Sequence, residues 1–190
     1  MDAAGFATAH LAGNSLGGHV ALQLAARGRA RSVAALAPAG GWADDSLPDT
    51  LARQRELLGQ ARASAPHARA ITATPEGRRR ATELIVADPE AVPAELIAHL
   101  MLGVAACPAA PALLDAAARL DWTLDAARID CPVRIVWGTE DRLLPWPSAA
   151  ARFRDRLPWA EWVELEGAGH CPQLDLPLPT AQLVLGVTSG

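Results

Sequence analysis

Gly13-Asn14-Ser15-Leu16-Gly17 reads Gly-x-Ser-x-Gly, which sets a serine hydroxyl between residues small enough for a sharp turn. A serine lifted clear of a strand end, at the first turn of a helix, can attack an electrophilic carbon. The helix dipole favours the negative charge that develops there. The backbone N–H of Leu16 then points at the resulting oxyanion. A hydroxyl is a poor nucleophile without a base, so this chemistry requires a histidine held in place by an acid. His170, in Glu166-Gly167-Ala168-Gly169-His170, is the candidate base. Asp141, in Gly138-Thr139-Glu140-Asp141, is the candidate acid, with the adjacent Glu140 as its rival. Ser15, Asp141 and His170 would together carry out acyl transfer through a covalent serine intermediate.

Those residues act together only if the fold brings them to one place. Residues 8–12 read as a short strand, and the helical pattern behind Ser15 places Val20, Leu22, Leu24 and Ala25 as its apolar positions. A second strand over 32–37 stops at Pro38, completing a β-α-β pattern. From 41 to 128 the pattern is helical, with candidates at 49–61, 75–86, 93–104 and 111–120. Thr74-Pro75 there makes an N-cap followed by proline at the first helical position. Strand and helix then alternate again: strand 133–137, helix 148–157, strand 159–165, a glycine-rich turn at 167–170, and helix 180–187. Ser15, Asp141 and His170 each follow a strand, and in a parallel sheet the carboxyl ends of the strands share one edge.

Composition narrows the alternatives. At 190 residues the chain suits one domain with an insertion, and 51% apolar residues exclude a wholly disordered chain. With 17 basic and 21 acidic residues the net charge is 17 − 21 = −4, which argues against nucleic acid or an anionic membrane as the main partner. Every basic residue is Arg, so lysine Schiff-base chemistry and the lysine-containing phosphate loop are excluded. Cys107, Cys131 and Cys171 contain no Cys-x-x-Cys pair and predict neither disulfides nor a zinc site. No metal and no cofactor is expected, and a small-molecule substrate is the expected partner. The N-terminus lacks a signal-peptide pattern, and the apolar stretch 96–114 is interrupted by His99, Pro108 and Pro111. A soluble, cytoplasmic location is the expectation. Arg78-Arg79-Arg80 reads as a solvated helix face. His10 is expected in the sheet, His19 behind the Ser15 turn, His67 and His99 on the surface, and Cys131 and Cys171 as buried thiols. Asn14, Trp42 and Trp146 are candidates for the substrate pocket, the two tryptophans equally for packing.

Three segments together carry a family resemblance: His10-Leu11-Ala12-Gly13-Asn14-Ser15-Leu16-Gly17-Gly18-His19, Ile129-Asp130-Cys131-Pro132-Val133-Arg134-Ile135-Val136-Trp137-Gly138-Thr139-Glu140-Asp141-Arg142, and Gly169-His170-Cys171-Pro172-Gln173-Leu174. In this order they resemble the α/β-hydrolase superfamily. The resemblance implies Ser15 as nucleophile, His170 as general base and acid, and Asp141 rather than Glu140 as the residue orienting His170. It implies an α/β fold, the C-terminal half of the hydrolase sheet with about four parallel strands. Residues 1–40 and 129–190 would form the core, and 41–128 a helical cap.

The family's sheet normally has eight strands, and the four matched here are its fifth to eighth. The others would need on the order of 80–100 residues. The loop that supplies the second oxyanion donor, often a His-Gly segment, has no counterpart before Ser15. The strand at 8–12 would then be an exposed edge, and self-association through that edge is an expectation. The chain is accordingly expected to be the C-terminal part of a longer hydrolase, through a misplaced start or a degraded gene. The leading reading is a serine hydrolase of carboxylic esters or related acyl bonds. Gly13-Asn14-Ser15 also resembles the carbon–carbon bond hydrolases of aromatic degradation, although Cys171 stands where those often carry Trp. Cofactor-free haloperoxidase-like activity uses the same triad. A serine in place of an aspartate nucleophile disfavours dehalogenase and epoxide hydrolase activity. The reading from another class is a truncated, catalytically inactive remnant.

Overall fold

The computed structural model describes residues 1–41 and 46–188, which divide into two compact units. The first comprises Met1–Trp42, Leu84–Ala87 and Thr123–Gly190, and the second Ala43–Glu83 and Asp88–Trp122. Residues 84–87 and 123–128, expected in the helical insert, therefore cluster with the first unit.

The first unit is built on a parallel sheet of β1 (Ala9–Asn14), β2 (Ala30–Leu36), β3 (Val133–Gly138) and β4 (Glu161–Leu165), in the order β1-β2-β3-β4. Helix α1 (Leu16–Ala25) connects β1 to β2. The inner strands are apolar over residues 33–36 of β2 and 135–137 of β3, where both faces of the sheet are covered. Val33, Ala35, Ala37, Val133, Ile135 and Trp137 belong to one buried cluster with Leu22 and Ala25 of α1. The register pairs Val33 with Val133 and Ala35 with Ile135 across that face. The intervening Ala34 and Val136, also fully buried, face the other way by the period of two, and α9 packs on β2.

Three more helices complete the unit: α7 (Ser148–Arg156), α8 (Pro172–Asp175) and α9 (Pro177–Thr188). Phe153 of α7 is fully buried, with its ring centroid 6.2 Å from that of Trp137, and burial of a side chain that size contributes about 1.5–3 kcal/mol. β4 begins two residues later than the expected strand, because Ala160 donates back to the Leu157 carbonyl in a turn that leaves Trp159 exposed. β1 and β4 are the edges of this sheet among the described residues, and on β1 His10 and Ala12 are exposed.

The second unit is helical, with α2 (Leu47–Ser64), α3 (Ala68–Thr72), α4 (Pro75–Thr82), α5 (Ala94–Ala106) and α6 (Ala110–Ala117). Thr74 caps α4 by accepting the Gly77 N–H at 3.0 Å, with Pro75 in the first turn. The helix ends at Thr82 rather than 86, where the chain leaves this unit. Arg55 of α2 pairs with Asp115 of α6 at 2.9 Å. Within the arginine triplet, Arg78 donates to the Thr72 carbonyl and Arg79 pairs with Glu76. Among the described residues no single helix is long and apolar enough to cross a membrane. Helices α5 and α6 meet that test only as a pair bent by 72° about the Cys107–Pro108 break.

Candidate active site

Ser15 follows β1 and is the N-cap residue of α1, with φ 56° and ψ −119°, a backbone conformation L-residues rarely adopt. Such strain persists only where its surroundings over-determine it. Here the Ser15 N–H donates to Leu36 O at 2.9 Å, and Ser15 O accepts from Ala39 N at 3.0 Å and His19 N at 3.1 Å. Crowding explains the glycine before the serine: a Cβ on Gly13 would lie 2.3 Å from the backbone carbonyl of Gly17. The other glycine of the motif behaves differently. A Cβ on Gly17 would meet nothing within 4 Å, whereas one on Gly18, outside the five-residue pattern, would approach Gly13 O at 3.0 Å and Pro38 Cβ at 3.1 Å. The N–H of Leu16 opens α1 and has no acceptor within the helix, since the first N–H groups of any helix lack one.

The candidate acid and base lie after β3 and β4. Asp141 follows β3 and His170 follows β4, and His170 Nδ1 is 2.8 Å from Asp141 Oδ2. Asp141 is 4% exposed and His170 2%, so the pair is desolvated and the bond is strong. The other carboxylate oxygen, Oδ1, accepts the N–H of Leu143 at 2.9 Å and of Leu144 at 2.8 Å. With both oxygens engaged, the carboxylate has a single orientation. Glu140 is exposed, and its N–H is used on Ala168 O. The remaining ring nitrogen, His170 Nε2, is buried and has no hydrogen-bond partner among the described residues. A site without substrate commonly has a long serine–histidine separation that tightens when substrate arrives.

Asn14 joins the serine turn to the histidine turn. Its Nδ2 donates to His170 O at 2.8 Å and to Leu36 O at 3.1 Å. Its Oδ1 accepts from Cys171 Sγ at 3.3 Å and Gln173 Nε2 at 3.4 Å. These bonds occupy the side chain that sequence reading assigned to a substrate pocket. Trp146 stands against Arg154, whose guanidinium lies 5.0 Å from the Trp146 ring and 5.1 Å from Trp162, and Glu164 pairs with Arg154 at 2.6 Å. Trp42 lies outside the described residues.

The other titratable side chains have more ordinary surroundings. His19 is buried on α1, and that burial lowers its pKa below the usual imidazole value, so it is neutral near pH 7. Burial, followed by the charges of Asp141 and Asp175, pushes the Cys171 thiol up to about 12 and keeps it protonated. Cys131 is buried and raised for the same first reason. His10 on β1 bonds Ser32 Oγ at 2.9 Å, and His67 and His99 are exposed. Among the described residues no group of three or more His, Cys, Asp or Glu side chains could hold a metal ion.

Sequence reasoning missed Asp175, whose carboxylate accepts the N–H of Gly169 at 2.8 Å and of Ala87 at 2.9 Å. The available signal was a lone carboxylate five residues beyond His170, between Pro172 and Pro177.

Comparison with known proteins gives the site a context. The model of the alpha/beta hydrolase family matches residues 2–183. Epoxide hydrolase EphH of Mycobacterium tuberculosis is 33% identical over 187 residues, 97% of this chain and 87% of that protein. Among solved structures, a membrane phospholipase A described as a bacterial virulence factor is 26% identical, with a TM-score of 0.67 over 100% of this chain and 60% of its own. The 2-hydroxy-6-oxo-6-phenylhexa-2,4-dienoate hydrolase of Rhodococcus sp. strain RHA1 is 24% identical, with a TM-score of 0.68 over 98% of this chain and 66% of its own. The chain thus spans less than two thirds of the length of those two solved proteins.

Proposed function

Since this chain belongs to the alpha/beta hydrolase family, we propose that it is a serine hydrolase of carboxylic esters or related acyl bonds, with Ser15, His170 and Asp141 as its catalytic residues. The observation that carries this reading is the buried His170 Nδ1–Asp141 Oδ2 bond of 2.8 Å beside an Nε2 that has no partner among the described residues. Asp141 fixes the tautomer: Nδ1 carries the proton, so Nε2 holds a lone pair and can accept one. Ser15 Oγ attacks the substrate carbonyl carbon as its proton passes to His170 Nε2. The carbonyl π electrons move onto oxygen, and the Leu16 N–H donates to that oxyanion. When the oxyanion collapses, the C–O bond to the leaving group breaks, His170 Nε2–H protonates the departing alcohol, and an acyl-serine remains. Water then attacks the acyl carbon with His170 again as base, releasing the carboxylic acid and restoring Ser15.

The name of the mycobacterial relative favours epoxide hydrolysis as a second reading. Bond chemistry speaks against it. A carboxylate that opens an epoxide forms an ester, which water cleaves, whereas Ser15 would form an ether, which the same machinery cannot hydrolyse.

Labelling the purified chain with a fluorophosphonate and reading its intact mass tests the proposal. One adduct that disappears in Ser15→Ala, together with turnover of an aryl ester, is the expected result. A folded chain that takes no adduct would sink it and favour the inactive-remnant reading. Parallel assays with an aryl epoxide and a vinylogous diketo acid separate ester, epoxide and carbon–carbon hydrolysis.

A further inference from the structure

The backbone on either side of His170 is held by other parts of the first unit. The Gly169 N–H donates to Asp175 Oδ2 at 2.8 Å, and the Cys171 N–H donates to Ile85 O at 2.8 Å. Asp175 Oδ1 accepts the Ala87 N–H at 2.9 Å, so one carboxylate spans the histidine turn and the 84–87 segment. The two backbones are close. A Cβ on Gly169 would lie 3.0 Å from both Ala87 N and Val86 C, and 3.1 Å from Ile85 O. Val86 is 3% exposed, which anchors the segment. In the chain this segment lies between α4 and α5, helices of the other compact unit.

Asp141 fixes how the imidazole is turned, but the backbone of 169–171 fixes where it stands. A displacement on the order of 1 Å in a reacting group costs about a hundredfold in rate, so the hold on that backbone matters to the chemistry. A carboxylate accepting two backbone N–H groups makes charge-assisted bonds, stronger than neutral ones.

We propose that Asp175 is a positioning residue for His170: its carboxylate clamps the Gly169 N–H to the Ala87 N–H and thereby makes the placement of the base depend on the 84–87 segment. The inference rests on the reading of His170 as the general base. It extends that reading, because it gives the stretch between α4 and α5 a hold on the backbone that carries the imidazole.

Two readouts on the full chain test it. One is the rate of fluorophosphonate labelling at Ser15. The other is the low-field proton resonance of His170 Nδ1–H, identified by its loss in His170→Ala. Asp175→Asn keeps one carbonyl acceptor but sets an NH₂ group against the second donor. We expect a folded variant labelled about ten- to a hundredfold more slowly, with the resonance shifted or broadened. Gly169→Ala, which crowds Ala87 N, Val86 C and Ile85 O and leaves the charge in place, should move both readouts in the same direction by a smaller factor. It decides the question if Asp175→Asn does not fold. Labelling at the native rate, or slowed labelling with an unchanged resonance, overturns the proposal. If the native chain takes no label, the hydrolase reading fails. The resonance still decides the positioning claim, because it reports the Asp141–His170 pair independently of Ser15.

Discussion

The two halves of the candidate site are built to different standards of fixity. The acid–base half, at the ends of β3 and β4, is buried and hydrogen-bonded at both oxygens of Asp141, at Nδ1 of His170, and along the backbone of residues 169–171. The nucleophile half, at the end of β1, is half-buried: Ser15 is held by its backbone, and the Asn14 side chain beside it ties the serine turn to the histidine turn. The contrast follows from what each half must do. Asp141 and His170 find each other within the protein, so their geometry can be complete before substrate arrives. In the proposed reaction Ser15 Oγ exchanges its interactions for a bond to an incoming carbon, so only its backbone can be fixed in advance, and there the fixing takes the form of a strained φ of 56°.

The sharpest way to break the acid–base half is Asp141→Asn. The two N–H groups of Leu143 and Leu144 on Oδ1 require the amide oxygen to stay there, which turns the NH₂ toward His170 Nδ1. Nδ1 must then accept, the proton moves to Nε2, and the ring cannot take one from Ser15. Labelling should fall by about 10³–10⁴ with a melting temperature close to native, checked by labelling kinetics and thermal denaturation.

The nucleophile half is broken through its backbone instead. Gly13→Ala forces a Cβ to within 2.3 Å of the Gly17 carbonyl and should destabilise by more than the about 1–3 kcal/mol typical of overpacking, with labelling lost. Gly17→Ala adds a methyl with nothing within 4 Å, in a helix, and should be neutral or stabilising by up to about 1 kcal/mol. Denaturation midpoints of the two variants check the asymmetry, and equal losses would refute it.

The smallest expected effect concerns His19, behind the serine. Burial lowers its folded-state pKa below the about 6.5 of a free imidazole, so below that pH the unfolded chain binds more protons than the folded one. This contribution to stability is therefore complete above about pH 6.5 and is lost as pH falls toward the folded-state pKa. The melting temperature of the native chain should drop more steeply between pH 7 and 5 than that of His19→Gln, and parallel slopes would remove His19 from the account.

Much of this was legible in the chain itself. The β-α-β pattern, the break near Pro108 and the Thr74 cap all rest on local chemistry: apolar periodicity, a missing N–H, a hydroxyl at a helix start. Ser15, Asp141 and His170 were legible as types in order, because each follows a strand and a parallel sheet gathers strand ends along one edge.

What local pattern did not contain was the use made of each polar side chain. Asn14 ties two turns together, Trp146 stacks on Arg154, and Asp175 reaches both Gly169 and Ala87, and none of these pairings has a sequence spacing that announces it. The 84–87 segment shows the limit most clearly. Its residues continue a helical pattern, yet the chain leaves α4 at Thr82 and clusters with the first unit, with Val86 buried and its backbone bonded to Asp175 and Cys171. Helical periodicity is a property of neighbours along the chain. A hydrogen bond between residues 88 positions apart depends on where the fold brings two backbones together, and only the tertiary structure decides that.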